Sequence, residues 1–375
     1  MKPEPETPVT PKSPVRTHWL VPGFGLALLG SLLVAACAHG APPNTRAVSL
    51  TAVAEVRATA ETVAARFDSV SELKEEEYAA LLEDAKRYRA MIPNAEEAAT
   101  APRRKYRLPI HAIKVMDDDG LRAADVTPQQ VAQWVDKANE VFSDSGIQFE
   151  FRADPNGPDW TEIKDTALNN LQAEHPQVLY AAAEAAKYPD KIVVIFRNGP
   201  SRAPAQDAFA SRLRSNMVVM PGFSQATTVV GRDSKGRWVT QQNIWMLAHE
   251  LGHHLGLPHT FPGSAGGATD NQLQAALFIL SQGGEADALD GDYLEDTAPD
   301  LGAGYYLNYG WDPCNGKDTV TVSETFRGRK YSWDFTPPRH NIMSYFSCDP
   351  IGLSPMQIQV MYRTLDERGI PQADS

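Results

Sequence analysis

Four of the chain's nine histidines fall in one run, His-Glu-Leu-Gly-His-His-Leu-Gly-Leu-Pro-His, residues 249–259. His249 and His253 stand four apart, so on a helix they project from one face, one turn above the other. Two imidazoles placed that way can share a metal ion. Glu250 follows His249 and is placed to take a proton from metal-bound water and pass it to a leaving amine. Gly256 is the expected helix end, because a residue without Cβ can take the left-handed turn that stops a helix. Beyond that turn His259 can come back as a third ligand. Three neutral imidazole nitrogens with water in an open fourth position make a catalytic zinc site. His254 points about 100° away from His253 and is read as a supporting or surface residue, not a ligand.

The helix that must carry these groups is specified by Ile244, Leu247, Ala248, Leu251 and Leu255. They form an apolar stripe at three- and four-residue steps that faces the core, with Thr240 as the expected N-cap. Upstream, Leu108–Val115 and Ile147–Phe151 read as strands. Between them, Thr127–Ser143 reads as a helix, with Thr127-Pro128 as cap and first residue. Ala167–Ala186 reads as helical and Lys191–Phe196 as a buried strand. Asn216–Met220 is a further strand, and a candidate for the edge that pairs with an extended substrate. Downstream come the glycine-rich residues 262–270, a short helix over Asn271–Ser281 and irregular chain. A last helix over 355–367 is entered through Ser354-Pro355 with Gln357 reaching back. The pattern is an α+β fold: an upper half of sheet and helices, a cleft, and an irregular lower half ending in a helix.

The zinc run fits H-E-x-x-H-x-x-G-x-x-H, and with Asn341-Ile-Met-Ser-Tyr345 downstream it resembles the metzincin peptidases. Finer details resemble the pappalysin-type, ulilysin-like branch. These are Gly252, Leu257 and Thr260-Phe261 around the histidines, and residues 291–297, Gly-Asp-Tyr-Leu-Glu-Asp-Thr, which differ from the family form by Ala298 standing before Pro299. The resemblance covers residues 106–368. It implies a zinc endopeptidase acting on proteins or peptides, built on a mixed, mostly parallel twisted sheet with helices above the zinc cleft. It places Met343 beneath the metal, and puts the Tyr345 hydroxyl where it can stabilise an oxyanion. It pairs Cys314 with Cys348 in a disulfide. It suggests calcium on Asp292, Asp296 and Thr297, hard oxygen donors suited to that ion; a solvated acidic loop is the alternative. It places Asp349 in the wall of the S1′ pocket, where a carboxylate would favour a basic residue after the cut; an exposed loop acid is the alternative there. Two other functions fit the same zinc residues: a hydrolase of a non-protein amide such as cell-wall peptide, and a metal-binding lipoprotein without catalysis.

The N-terminal 36 residues read as a leader. Lys2, Lys12 and Arg16 precede an apolar run, Trp19 to Leu33, that is short for a membrane span. The run ends in Val34-Ala35-Ala36-Cys37, which resembles a bacterial lipobox with Cys37 as the lipidated residue. The expected address is the cell envelope, with Ala38 compatible with the outer membrane; a plain transmembrane anchor and plain secretion are the alternatives. With Cys37 lipidated, the remaining two of three cysteines form the even pair of an exported protein. Residues 38–48 read as a tether, 49–91 as helical, and Pro93–Pro102 as a linker before Arg103-Arg104-Lys105. The span 37–102 is thus either a prosegment cut near Arg103-Arg104 or a stalk. Residues 103–260 make the upper catalytic part and 261–375 the lower one. A net charge of −12 argues against nucleic acid as a partner.

Overall fold

The computed structural model describes residues 89–172, 178–201, 208–210, 215–232, 238–262, 270–284, 289–302, 319–326, 328–344, 348 and 351–373. All belong to the compact unit Leu50–Ser375. The leader, Cys37 and the expected helix before residue 89 lie outside the described residues. Among the described residues, no helix is long and apolar enough to cross a membrane.

The first half runs α1 (Ala95–Thr100), β1 (Tyr106–Met116), α2 (Pro128–Val141), β2 (Ile147–Glu150), β3 (Trp160–Lys164), α3 (Thr166–Asn169), α4 (Val178–Ala185) and β4 (Ile192–Arg197). There follow β5 (Phe209–Ala210), β6 (Met217–Pro221), β7 (Thr227–Arg232), β8 (Trp238–Gln242) and α5 (Met246–His254), the helix of the zinc run. The lower half holds α6 (Asp270–Ser281), β9 (Val320–Phe326), β10 (Arg329–Phe335) and α7 (Pro355–Glu367).

The main sheet has the order β2-β1-β4-β6-β5, with β3 beside β1 further along the same strand. Pairing is parallel except between β5 and β6. Both faces are covered, so the strands read as continuous apolar runs. Val194, Phe196, Val218 and Met220 pack under α2 and α5, while Val193, Ile195, Met217 and Val219 pack against Leu168, Ala181 and Ala185. The first cluster continues without a break through Leu247, Leu251 and Met343 to Met356, Met361 and Leu365 of α7. One core therefore fixes α5, the residues beneath it and the C-terminal helix together. Both predicted caps with proline at the first turn are formed: Thr127 with Gln130 on α2, and Ser354 with Gln357 on α7.

Several expectations are corrected. Residues 216–220 are not the edge: β6 lies between β4 and β5, and β5 is the outermost strand of the path. Thr240 does not cap α5, since it sits in β8; the helix starts at Met246, and Ile244 precedes it. The entry to α5 is set instead by the Asn243 side chain, which accepts from Trp245 N at 3.1 Å. Residues 93–102 are not a bare linker. Asn94 caps α1 through Glu97 N at 2.9 Å, and α1 packs on α7 with Ala98 fully buried. The chain just beyond is pinned too, with Arg104 N donating to the Tyr362 hydroxyl at 3.0 Å and Arg104 Nη1 to Asp366 at 2.6 Å. The lower half also holds an antiparallel hairpin, β9–β10, inside the stretch expected to be irregular.

Candidate metal centre

His249 and His253 occupy successive turns of α5, and the helix stops as the spacing predicts. Gly256 takes φ +91°, Gly256 N donates to His253 O at 2.9 Å, and Leu257 N donates to Gly252 O at 3.0 Å. This pair of bonds is a Schellman turn, the arrangement that satisfies the last helical carbonyls. The turn also orients a ligand: His253 Nδ1 donates to Leu257 O at 2.7 Å. His249 Nδ1 donates in the same way to Ile342 O at 2.7 Å. A carbonyl only accepts, so both rings carry their proton on Nδ1 and turn an Nε2 lone pair inward. Burial holds the His249 pKa down at about 4, against a smaller opposing effect of the Ile342 carbonyl, so the ring is neutral near pH 7.

His259 completes the set from irregular chain beyond the turn. Its Nε2 lies 3.2 Å from His249 Nε2 and 3.1 Å from His253 Nε2. Tetrahedral zinc with Zn–N bonds of about 2.0–2.1 Å sets ligand nitrogens roughly 3.3 Å apart. The three nitrogens suit a zinc ion in chemistry, the two spacings to His259 match it, and all three ligand atoms lie within 4.8 Å of one another. Among the described residues these histidines are the group of three or more His, Cys, Asp or Glu side chains able to hold a metal. Glu250 is buried on the same helix, three residues before His253 and so on the neighbouring face.

Met343 lies directly beneath α5. A Cβ added to Gly252 would stand 2.5 Å from its sulfur, so only glycine lets the helix and Met343 approach this closely. Met343 is fully buried within a short 3-10 turn, Ile342–Ser344. The Asn341 side chain closes that turn by accepting from Met343 N at 2.9 Å, and it exchanges hydrogen bonds with Gln357 of α7. His254 is buried, not exposed, and Arg368 binds both its ring and its carbonyl.

Of the expected calcium ligands, Asp292 and Thr297 are in contact, the Thr297 hydroxyl donating to Asp292 Oδ1. Asp296 accepts from Ser354 Oγ at 2.7 Å and Met356 N at 2.8 Å, and so caps α7. Asp292 also bonds Leu294 N and Gln357 Nε2. Burial, then the neighbouring Asp290, raises the Asp292 pKa well above the carboxylate range. These oxygens tie the loop to the helix through protein donors. Tyr345, Cys314 and Asp349 lie outside the described residues; Cys348 is buried and disulfide-bonded.

Sequence reasoning passed over Asp300. It is fully buried, accepts from the Thr260 hydroxyl at 2.8 Å and has a pKa pushed up to about 7 by burial. Its nearest signal was its place three residues after Thr297 in the acidic loop.

No family model and no curated protein matches the sequence. Among solved structures, metalloproteinase-II from Bacteroides fragilis is similar at 12% identity with a TM-score of 0.24, over 50% of this chain. The chain spans 64% of that structure's length. An overlap this slight leaves the geometry of the site to carry the assignment.

Proposed function

We propose that this chain is a zinc-dependent endopeptidase of the pappalysin-type metzincin kind, exported and acting on proteins or peptides. The observation that carries the reading is that His259 Nε2 lies 3.2 Å from His249 Nε2 and 3.1 Å from His253 Nε2, with the ligand atoms of all three within 4.8 Å of one another and Glu250 buried on the same helix. Zinc held there supplies a Lewis acid, which makes water a nucleophile at neutral pH and polarises the scissile carbonyl. His249, His253 and His259 hold the ion. Glu250 takes the proton of the attacking water and returns it to the leaving nitrogen. Tyr345 is assigned to the developing oxyanion. Cys348 is assigned to a disulfide with Cys314, and Cys37 to a lipid anchor.

Glu250→Ala tests the reading. It should leave the zinc content unchanged and lower kcat/KM on a protein substrate by about 10²–10⁴-fold. Full activity in that variant would refute the mechanism, and absence of zinc from the wild-type protein would refute the site. Mass and terminal sequencing of the mature protein and of its cut products read two further assignments. The expected results are a lipid-blocked Cys37, and Arg or Lys following each cut, a preference lost in Asp349→Ala. An unmodified N-terminus removes the anchor, and cuts without basic preference remove the role of Asp349.

A further inference from the structure

We propose that Thr260 and Asp300 form a positioning pair that fixes the third metal ligand, His259. The inference rests on the zinc reading above. Each of the two helical ligands is steadied by a ring bond to a carbonyl, Ile342 O for His249 and Leu257 O for His253. His259 lies past the end of α5, so no helix sets its course; neighbouring segments must do so.

Its neighbour Thr260 is held at each of its polar groups. The backbone N donates to Met343 O at 3.2 Å, and the carbonyl accepts from Gly291 N at 2.9 Å. The hydroxyl donates to Asp300 Oδ2 at 2.8 Å. The approach of Gly291 needs the absence of a side chain: its Cβ would stand 2.6 Å from His259 O and 2.1 Å from Phe261 O. Asp300 is fixed in turn, its Oδ1 accepting from Gly302 N at 2.8 Å and its own N–H donating to Leu289 O at 3.1 Å. Thr260 and Asp300 are 1% and 0% exposed, so water does not compete for the bond between them.

The two backbone bonds locate the Thr260 peptide between the Met343 turn and the Gly291 loop. The hydroxyl bond adds a lateral tether that stops the strip from His259 to Phe261 rolling about its own axis. That strip carries two rings, His259 and Phe261, stacked at 4.5 Å and 11°, so a roll would carry the ligand with it. A working metal site tolerates only about 0.5 Å of slack in its ligands. Loss of the tether is therefore read first in metal affinity.

The test is zinc affinity of the full chain, measured by competition with a chromogenic chelator, with a thermal melt of each zinc-saturated variant as the fold control. Thr260→Val keeps the volume and removes the hydroxyl, and should bind zinc about 10–100-fold more weakly, the usual effect of losing an outer partner of a ligand. Thr260→Ser should restore the wild-type affinity. Asp300→Asn can still meet the hydroxyl through its amide and should stay close to wild type. Wild-type affinity in Thr260→Val overturns the proposal, as does a serine variant as weak as the valine one. Should the valine variant not fold, Thr260→Ala removes the same hydroxyl without setting a methyl against Asp300 and gives the same reading. Failure of the zinc reading itself is distinct, because wild-type protein would then take up no zinc before any substitution is made.

Discussion

Replacing Gly256 with alanine probes the turn on which the ligand set hinges. At φ +91° the backbone is left-handed, which costs an L side chain about 1–2 kcal/mol. The new Cβ would also stand 2.3 Å from Thr364 Oγ1 and 3.4 Å from Thr364 Cβ. Thr364 cannot simply swing away: it is buried, and its hydroxyl donates to Val360 O at 3.0 Å. Forcing a methyl into such a site costs about 1–3 kcal/mol. Together these give roughly 2–5 kcal/mol of destabilisation. Zinc affinity should fall as well, since the displaced turn includes Leu257 O, the acceptor for His253 Nδ1. Urea unfolding of zinc-saturated wild type, Gly256→Ala, Thr364→Ala and the double variant separates the two causes. In the Thr364→Ala background the steric part disappears, and the glycine substitution should cost only about 1–2 kcal/mol. The reasoning fails if Gly256→Ala lies within about 0.5 kcal/mol of wild type, the range of an ordinary surface change. It fails equally if the cost is the same in both backgrounds.

Two further outcomes follow from the lower half and the N-terminal segment. Asp300 has its pKa raised by burial from 3.8 to about 7, so the folded state holds a proton that the unfolded chain gives up. Its contribution to stability is full below pH 3.8 and is lost as pH rises toward 7. In chelator, the stability of wild type minus that of Asp300→Asn should therefore fall across this window, by roughly 4 kcal/mol at most; a constant difference contradicts the shift. Ala98 is fully buried where α1 meets α7, so Ala98→Asp should destabilise the protein by about 2 kcal/mol or more, the cost of burying a polar group without a partner. An unfolding midpoint equal to wild type would mean that α1 is not part of the folded unit.

The three-histidine group that could hold a metal was legible in the sequence because helical spacing and the turn-forming glycine are local. His249 and His253 share a face by periodicity alone, and Gly256 stops the helix where only glycine has the freedom to do so. The predicted caps, Thr127 on α2 and Ser354 with Gln357 on α7, were local in the same sense, closed between residues three apart. Buried strands such as β4 announced themselves as short apolar runs, but a run does not say who its neighbours are. That β6 is interior and β5 the edge depends on pairings between segments far apart in the chain.

The same limit explains α1 and Asp300. A six-residue helix shows too little periodicity to be read, and Ala98 is buried only because α7 arrives from the other end of the sequence. Asp300 belonged to an acidic loop that reads as solvated until the fold closes over it and brings Thr260 to its carboxylate. Composition and spacing thus determined which atoms can bind a metal. Tertiary structure decided the carbonyls that turn those rings, the sulfur that lies beneath them and the buried acid that steadies the third, because each of these contacts joins segments that local rules cannot bring together.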